Sequence, residues 1–173
     1  MTSSIWGKSA AVTYPLGLVR GLSLVSKCRS RTMIPGRAYA ENLALVALTL
    51  QNPNLEGGSI VECGTWRGGM SAGMIEVAGP HRSYHFLTPS KACRRPCPPI
   101  AVLRLDVDWY ESTMICLKKF WDHVLPGGLV LLDDYYAWEG CSRAVHAFLA
   151  KREAKEQLHQ GTIGRVPFII KAI

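Results

Sequence analysis

Short segments that are apolar at nearly every position alternate along the chain with segments in which apolar residues recur at helical spacing. The predicted strands are GGSIVEC, RSYHFL, IAVLRLD, GGLVLLDD and, last, VPFIIKAI. The predicted helices are AYAENLALVALTLQ, GMSAGMIEVAG, ESTMICLKKFWDHV and GCSRAVHAFLAKREAKE. Strands without polar alternation are typical of a parallel sheet that helices cover on both faces. The sequence therefore predicts an α/β fold, with a turn at LPGG before the fourth strand.

Carboxylates end three of these predicted strands. Glu62 follows SIV, Asp106 follows AVLRL, and Asp133 and Asp134 follow LVLL. In open α/β sheets ligands bind at the carboxyl ends of the strands, so these side chains are candidate site residues. One acid alone is equally a helix cap or a turn former, but four on one edge repel one another and need a cation or hydrogen-bond donors. Oxygen ligands on separate loops suit Mg²⁺.

The composition is that of one folded domain, since 48% of the 173 residues are hydrophobic. Most of the net charge of +7 comes from the segment before Glu41, which contains six basic residues and no acid. Residues 1–36 form a basic N-terminal arm. We expect residues 1–31 of the arm to pack poorly against the rest of the chain. Nucleic-acid binding is not expected, because no recognition motif accompanies the charge. A membrane partner is not expected either, because no charge-free apolar stretch is long enough to span a bilayer.

The six cysteines are scattered along the chain and do not form a disulfide framework. Cys63 and Cys116 lie in apolar segments, which predicts buried thiols in a reducing compartment, the cytoplasm. Cys93 and Cys97 have the spacing of half a zinc site, but no second pair of ligands follows them. A zinc site is therefore not predicted.

Four motifs, VECGTWRGG, LRLDVDWYEST, LPGGLVLLDDY and GCSRAVHAF, occur in this order. Together they resemble the macrocin O-methyltransferase family, enzymes that use S-adenosylmethionine to methylate sugars of antibiotics. The RTM at residues 31–33 is similar to a motif just upstream in that family, and the resemblance covers most of Thr32 to Phe148. It implies a Rossmann-like class I methyltransferase sheet, S-adenosylmethionine and Mg²⁺ as cofactors, and a small-molecule hydroxyl acceptor such as a natural-product sugar. A homo-oligomer is compatible with the family.

The resemblance also assigns roles to the residues at the strand ends. Glu62 would accept hydrogen bonds from the ammonium group of the cofactor, and glycines would let the backbone approach its methionine part. The predicted cofactor residues are Glu62, Cys63, Gly64, Thr65, Gly68 and Ser71. Asp106, Asp133 and Asp134 would bind Mg²⁺. The spacing differs from a dinucleotide-binding G-x-G-x-x-G, and an acid there would repel a phosphate.

Asp106 is the predicted catalytic proton acceptor, because the resemblance places it nearest to the acceptor hydroxyl. Asp108, Glu111 and His146 are the alternatives, and the position of His146 within RAVHAF favours a helix residue with a structural partner over a base. Five aromatic residues near these acids either line the acceptor pocket or contribute only packing: Trp109, Tyr110, Tyr135, Tyr136 and Trp138.

The chain departs from the family pattern after the second strand. The family has an acid there that binds the ribose, whereas this chain reads FLTPSK with Leu87 at that position. The family also has a longer segment between the second and third strands, so the sequence predicts the loss of an edge strand and its flanking helices. We therefore expect a truncated methyltransferase domain at residues 37–173. The alternative is an impaired remnant or pseudoenzyme of the family, with a binding role or none.

Overall fold

The computed structural model describes residues 10–87 and 97–172. Its strands are β1 (Ser59–Cys63), β2 (Tyr84–Leu87), β3 (Ile100–Leu105), β4 (Val124–Leu132), β5 (Leu158–Gln160) and β6 (Pro167–Ile170). Its α-helices are α1 (Ala10–Cys28), α2 (Gly36–Thr49), α3 (Gly69–Ala78), α4 (Tyr110–Phe120) and α5 (Glu139–Lys151). Short 3₁₀ turns lie at Arg29–Arg31, Pro53–Leu55 and Trp121–His123.

The six described strands form one sheet in the order β2-β1-β3-β4-β6-β5. The first four of that order run parallel, whereas β6 is antiparallel to β4 and β5 is antiparallel to β6. Because side chains alternate along a strand, each central strand contributes to two apolar layers. One layer packs Ile60 and Val102 against α1, α2 and α3, and the other packs Val61 and Leu103 against α4 and α5. The predicted α/β fold with helices on both faces is confirmed.

Several predicted elements have different limits in the structure. The LPGG predicted as a turn lies inside β4, where Gly127 has a φ of 81° and the register with β3 shifts between Ile100 and Val102. The glycines shift the register of β4 without ending the strand. The strand therefore begins at Val124 and not after a turn. The last predicted helix ends at Lys151, and β5 was not predicted.

The described part of the N-terminal arm, from residue 10 onward, contradicts the expectation of poor packing. Residues Ala10–Cys28 form a helix that packs along α2, where Leu24 and Cys28 are buried. The spacing of Gly17 and Gly21 places both on one helix face. A Cβ at Gly17 would lie 2.8 Å from the Cα of Ala44, and one at Gly21 would lie 2.6 Å from the Cα of Ala40. The prediction missed this contact because small residues carry a weak hydrophobic signal although they allow close helix packing.

We expect Gly21→Val to separate α1 from α2, because the added side chain would meet the backbone of Ala40, which cannot move aside as a flexible side chain can. The predicted loss is about 2 kcal/mol of unfolding free energy. Limited proteolysis should then cut within α1 much faster than in the parent. Leu22→Ala is the matched control, since Leu22 is 54% exposed on the same helix. Equal cleavage of α1 in the Gly21 variant and the parent would contradict this packing.

Within the described residues β2 is an edge strand of the sheet. The segment 88–96, which includes Cys93, lies outside the described residues. Cys97, by contrast, is described as a free, half-buried thiol. Among the described helices, none combines the length and the apolarity needed to cross a bilayer.

Candidate active site

The carboxyl ends of β1, β3 and β4 lie side by side, because these strands are adjacent and parallel. Glu62 pairs in register with Arg104 of β3, and Asp106 and Asp133 directly continue β3 and β4. Alternation along the strands directs Glu62, Arg104 and Asp106 to the same face of the sheet. The structure thus brings together acids that the sequence predicted to meet.

A buried arginine, Arg104, connects three of these carboxylates. Its Nη1 lies 2.7 Å from Glu62 Oε1 and 2.9 Å from Asp106 Oδ2, and its Nη2 lies 2.8 Å from Asp133 Oδ1. The Arg104 side chain is fully buried and Glu62 is 1% exposed. The sequence gives no sign of a role for Arg104, because this residue stands inside the apolar strand IAVLRLD. Its presence means that part of the negative charge at this edge is already balanced by the protein itself.

Burial and charge shift the pKa values of this cluster in opposite directions. Burial alone would lower the pKa of Arg104, but the surrounding carboxylates of Asp133, Asp106 and Glu62 raise it overall, so the guanidinium stays charged. Burial raises the pKa of Glu62 although Arg104 and the Ser71 hydroxyl oppose this. Burial also raises the pKa of Asp106, again against the effect of Arg104. The guanidinium of Arg104 therefore offsets the charge of all three carboxylates that it contacts.

Asp134 differs from the other acids because it forms no ion pair with any described residue. Its Oδ2 accepts a hydrogen bond of 3.0 Å from the backbone N–H of Asp108, and the residue is 7% exposed. Burial, followed by repulsion from Asp106, Asp108 and Asp133, raises the pKa of Asp134 to about 7. One carboxylate oxygen from each of Asp106, Asp133 and Asp134 lies within 4.8 Å of the others. Three hard oxygen donors at this spacing match the ligands that Mg²⁺ prefers.

The loop after β1 has a backbone that only glycine allows at its first position. Gly64 has a φ of 88°, and a Cβ there would lie 1.6 Å from the carbonyl oxygen of Asp106. This close approach brings the β1 loop against the end of β3. Gly68 has a φ of 75° and open space beside it, and it precedes α3. The Ser71 hydroxyl on α3 donates a hydrogen bond to Glu62 Oε2.

The side chain of Cys63 points to the opposite face of the sheet from Glu62 and does not line the cavity described below. Its thiol is fully buried and hydrogen-bonds with that of Cys116 on α4, and this contact is the main reason that its pKa is raised. Its backbone carbonyl accepts the N–H of Asp106 at 2.9 Å. The thiol and the backbone carbonyl of Cys63 thus already have partners within the fold. Cys63 and Cys116 are buried thiols, as predicted.

A cavity of about 770 Å³ opens above the acidic edge of the sheet. Glu62, Thr65, Asp106, Asp133 and Asp134 line it, so five of the predicted site residues share one space. The remaining walls include the segment 31–35 with Ala38, the aromatic side chains of Trp66, Tyr136 and Trp138, and the segment 164–167, which leads into β6. Of these walls, only the RTM segment and the aromatic residues near Asp134 are predictable from the sequence.

The alternative proton acceptors lie in different places. Asp108 lines the cavity, whereas Glu111 and His146 do not. His146 Nε2 lies 2.6 Å from the hydroxyl of Tyr135, and both line a separate shallow groove together with Tyr110. Trp109 packs against Trp138 with ring centroids 5.4 Å apart. The five predicted aromatic residues are therefore divided between the cavity, its rim and the groove.

Leu87 is the last residue of β2 and pairs in register with Cys63. Its carbonyl accepts the N–H of Gly64 at 2.9 Å, so it lies beside the predicted cofactor loop. Its side chain packs against the apolar layer under α4 and α5. The end of β2 thus carries an apolar side chain where the family resemblance would place an acid.

Residues 91–164 match the family model of Macrocin-O-methyltransferase (TylF). The predicted resemblance to the macrocin O-methyltransferase family is confirmed over this part of the chain. The matched segment contains Asp106, Asp133 and Asp134, whereas the VECGTWRGG motif precedes it. The predicted acidic motifs of the family are therefore supported more directly than the cofactor loop.

Curated relatives match over short segments. The chain is 45% identical to 8-demethyl-8-(2,3-dimethoxy-alpha-L-rhamnosyl)-tetracenomycin-C 4'-O-methyltransferase of Streptomyces olivaceus over 53 residues. These residues are 31% of this chain and 20% of that protein. The chain is also 40% identical to demethyldecarbamoylnovobiocin O-methyltransferase of Streptomyces niveus over 63 residues, and these residues are 36% of this chain and 24% of that protein. The chain thus matches a quarter or less of the length of these relatives.

Solved structures of methyltransferases share the fold. The O-methyltransferase NovP aligns with a TM-score of 0.65 at 18% identity, covering 94% of this chain and 99% of that chain. The MycE methyltransferase, solved with Mg, SAH and mycinamycin VI, aligns with a TM-score of 0.53 at 13% identity, covering 88% of this chain and 54% of that chain. The predicted class I methyltransferase architecture is confirmed.

Proposed function

We propose that this chain is an S-adenosylmethionine-dependent O-methyltransferase that uses Mg²⁺ and methylates a hydroxyl group of a small molecule such as a natural-product sugar. The observation that supports it best is the cavity in which Glu62 of the cofactor loop meets Asp106, Asp133 and Asp134. The relatives with matching segments are named O-methyltransferases of natural products, which supports the same reaction class.

The residues around Glu62 fit the amino-acid part of the cofactor. Glu62 offers a buried carboxylate at the cavity wall, and both its oxygens already accept hydrogen bonds, from Ser71 and from Arg104. A carboxylate held in this way can accept a further bond from an ammonium group without rotating away. When bound, S-adenosylmethionine supplies an electrophilic methyl group on a sulfonium. Thr65 lines the same wall and would bound the cofactor on the loop side.

The carboxylates of Asp106, Asp133 and Asp134 fit a hard divalent cation. Arg104 contacts one oxygen each of Asp106 and Asp133, so the second oxygen of each carboxylate is available as a ligand. Bound Mg²⁺ would orient the acceptor hydroxyl and lower its pKa. Asp106 is the proposed proton acceptor, because it lines the cavity and burial makes its carboxylate more basic. Asp134, whose pKa burial raises to about 7, is the alternative.

An impaired remnant of the family is the second candidate function. The observation that favours it is Leu87, whose apolar side chain stands at the end of β2 and packs into the core. Without an acid there, the ribose hydroxyls lose charge-assisted hydrogen bonds worth about 1.5–3 kcal/mol each. Cofactor affinity would then fall from the micromolar towards the millimolar range, at about 1.4 kcal/mol for each factor of ten.

Calorimetric titration with S-adenosylhomocysteine, with and without Mg²⁺, separates the two candidates. The proposed methyltransferase should bind S-adenosylhomocysteine and should bind Mg²⁺ or Mn²⁺ through the aspartates. Asp133→Ala should weaken metal binding sharply, because it removes one of three carboxylate ligands. If neither the cofactor product nor the metal binds, the remnant is the correct interpretation. Equal metal affinity in Asp133→Ala and the parent would show that the assigned ligands are wrong.

Leu87→Asp is expected to tighten S-adenosylhomocysteine binding about tenfold, because a carboxylate at the end of β2 can accept hydrogen bonds from the ribose. The same change places a charge against the apolar layer, so the free energy of unfolding should fall by about 1–3 kcal/mol. Titration calorimetry and urea denaturation measure the two effects separately.

His85→Asp is the matched control for this variant. His85 is half-buried and lies two residues before Leu87 on β2, so its side chain is on the same face but further from the carboxyl end of the strand. The control should leave cofactor affinity unchanged. If the parent already binds at micromolar concentrations and Leu87→Asp brings no gain, another residue holds the ribose.

A further inference from the structure

The segment between β5 and β6 is held by a buried carboxylate on α2. Glu41 is fully buried and accepts three backbone hydrogen bonds from the segment 163–166: Ile163 N at 2.8 Å, Gly164 N at 2.9 Å and Val166 N at 3.0 Å. The hydroxyl of Tyr14 on α1 donates a fourth bond of 2.5 Å. The carboxylate thus fixes a loop that lies more than a hundred residues away in sequence.

The electrostatics of Glu41 favour a charged, rigid anchor. Burial would raise the pKa of Glu41, but the donors from Tyr14, Ile163, Val166 and Gly164 together lower it, so the carboxylate is ionised. Gly161 is also in contact with this carboxylate, since a Cβ there would lie 2.1 Å from Oε2. The loop therefore cannot move away without leaving a buried charge without donors.

Arg165 is the residue of this segment that Glu41 does not hold. It lies between the anchored amides of Gly164 and Val166 and has a φ of 58°, a left-handed conformation that is costly for a residue with a side chain. Its side chain is exposed and lines the cavity of the proposed active site. It forms no ion pair with any residue in the described part of the chain. The anchored loop thus holds a free guanidinium at the cavity.

The sheet order places Arg165 on the side of the cavity near Asp133, away from the proposed cofactor loop. Because β6 is antiparallel to β4, the residues before Pro167 lie at the carboxyl end of β4, beside Asp133. Two strands, β3 and β4, separate β6 from β1, whose end carries the proposed cofactor loop. At about 4.8 Å between neighbouring strands, that separation is about 14 Å. Arg165 is therefore closer to the proposed metal and acceptor than to the methionine part of the cofactor.

We propose that Arg165, presented by the Glu41-anchored loop, binds an anionic group on the methyl acceptor, so that the acceptor is a hydroxyl compound carrying a phosphate or a carboxylate. The inference rests on the proposed methyltransferase function and names its substrate class. Guanidinium groups bind the oxygens of phosphates and carboxylates in a planar, bidentate geometry, which the compact ammonium of lysine does not. Neutral sugars would gain little from such a residue.

The charge of the cavity agrees with an anion that needs Arg165. Apart from Arg165, the cavity has five carboxylates against two guanidinium groups, the buried one of Arg104 and the exposed one of Arg31, so an anionic acceptor would be repelled by the bare site. The five carboxylates are those of Glu62, Asp106, Asp108, Asp133 and Asp134. Arg165 and a bound divalent cation would both offset that repulsion. Binding of an anionic acceptor is therefore expected to depend on both.

Three sugars of similar size test the proposal: glucose 1-phosphate, glucuronate and neutral methyl glucoside. Each is titrated into the full chain with Mg²⁺ and S-adenosylhomocysteine present, and tryptophan fluorescence reports binding, since Trp66 and Trp138 line the cavity. We expect at least one anionic sugar to bind about threefold to tenfold more tightly than methyl glucoside. The two anionic probes distinguish phosphate from carboxylate recognition.

Arg165→Gln should remove this preference and leave the affinity for methyl glucoside unchanged. Arg37→Gln is the matched control, because Arg37 is exposed and does not line the cavity. Glu41→Gln should reduce the preference as well, by loosening the loop; if that variant does not fold, Arg165→Gln decides alone. Equal or absent binding of the anionic sugars in the parent, or a preference that persists in Arg165→Gln, overturns the proposal.

Binding of S-adenosylhomocysteine in the same samples separates this inference from the proposed function. If S-adenosylhomocysteine does not bind, the methyltransferase proposal itself fails. If it binds with equal affinity to the parent and to Arg165→Gln while no anionic sugar is preferred, only the acceptor class is wrong. If Arg165→Gln instead weakens S-adenosylhomocysteine, Arg165 contacts the cofactor and the proposal is overturned.

Discussion

Replacing Arg104 with methionine is expected to lower the free energy of unfolding by about 3–5 kcal/mol at pH 7.5. The variant keeps much of the side-chain volume but leaves Glu62, Asp106 and Asp133 without the guanidinium that all three contact. Glu62 is 1% exposed, so water hydrates its carboxylate poorly once the guanidinium is gone. Urea denaturation followed by circular dichroism measures the loss.

The pH dependence of this loss identifies its electrostatic origin. Burial raises the pKa values of Glu62 and Asp106, so these groups take up protons more readily than usual as the pH falls. Protonation removes the charges that Arg104 compensates, and the difference between variant and parent should therefore shrink towards pH 4. Arg143→Met is the control, because Arg143 forms an exposed ion pair with Glu139. A loss below about 1 kcal/mol at pH 7.5 would contradict the role of Arg104.

Asp134→Asn is expected to stabilise the fold at pH 8 by about 1–3 kcal/mol and to abolish metal binding. Burial raises the pKa of Asp134 to about 7, so the folded protein disfavours the charged form. As the pH rises from about 4 to 7, the unfolded chain loses this proton first, and the parent loses stability over that range. Asparagine carries no charge, yet its amide oxygen can still accept the N–H of Asp108.

The charged form of Asp134 that destabilises the fold is the form that binds a metal ion, so metal affinity should increase with pH. A divalent cation binds the ionised form, so the affinity of the parent for Mn²⁺ should rise as the pH increases towards 7 and should level off above it. Thermal unfolding at pH 5 and 8 tests the predicted stability change, and calorimetric Mn²⁺ titration tests the predicted change in metal affinity. Glu139→Gln removes an exposed carboxylate as the control. An asparagine variant that is less stable at pH 8, or that binds Mn²⁺ as the parent does, would refute this assignment.

The elements that position the site were predictable because their signals are local. The apolar runs around Val61, Val102 and Val130 predicted three central strands, and the acids that follow them predicted the edge at which ligands bind. The arm was mispredicted, since Gly17 and Gly21 become informative only when Ala40 and Ala44 are known to face them. The loop before β6 was missed for the same reason, because its anchor, Glu41, lies on a different element.

The sequence by itself determined the α/β class, the order of the central elements, and the acids at the ends of three strands, because periodicity and strand ends depend on neighbouring residues. Only the tertiary structure decided how those acids are balanced. Arg104 and Glu62 are 42 residues apart and become an ion pair because β1 and β3 are paired in register. Asp134 lacks such a partner and is left with a raised pKa. Charges at a buried site are set by what lies within a few ångströms, and folding alone brings those groups together.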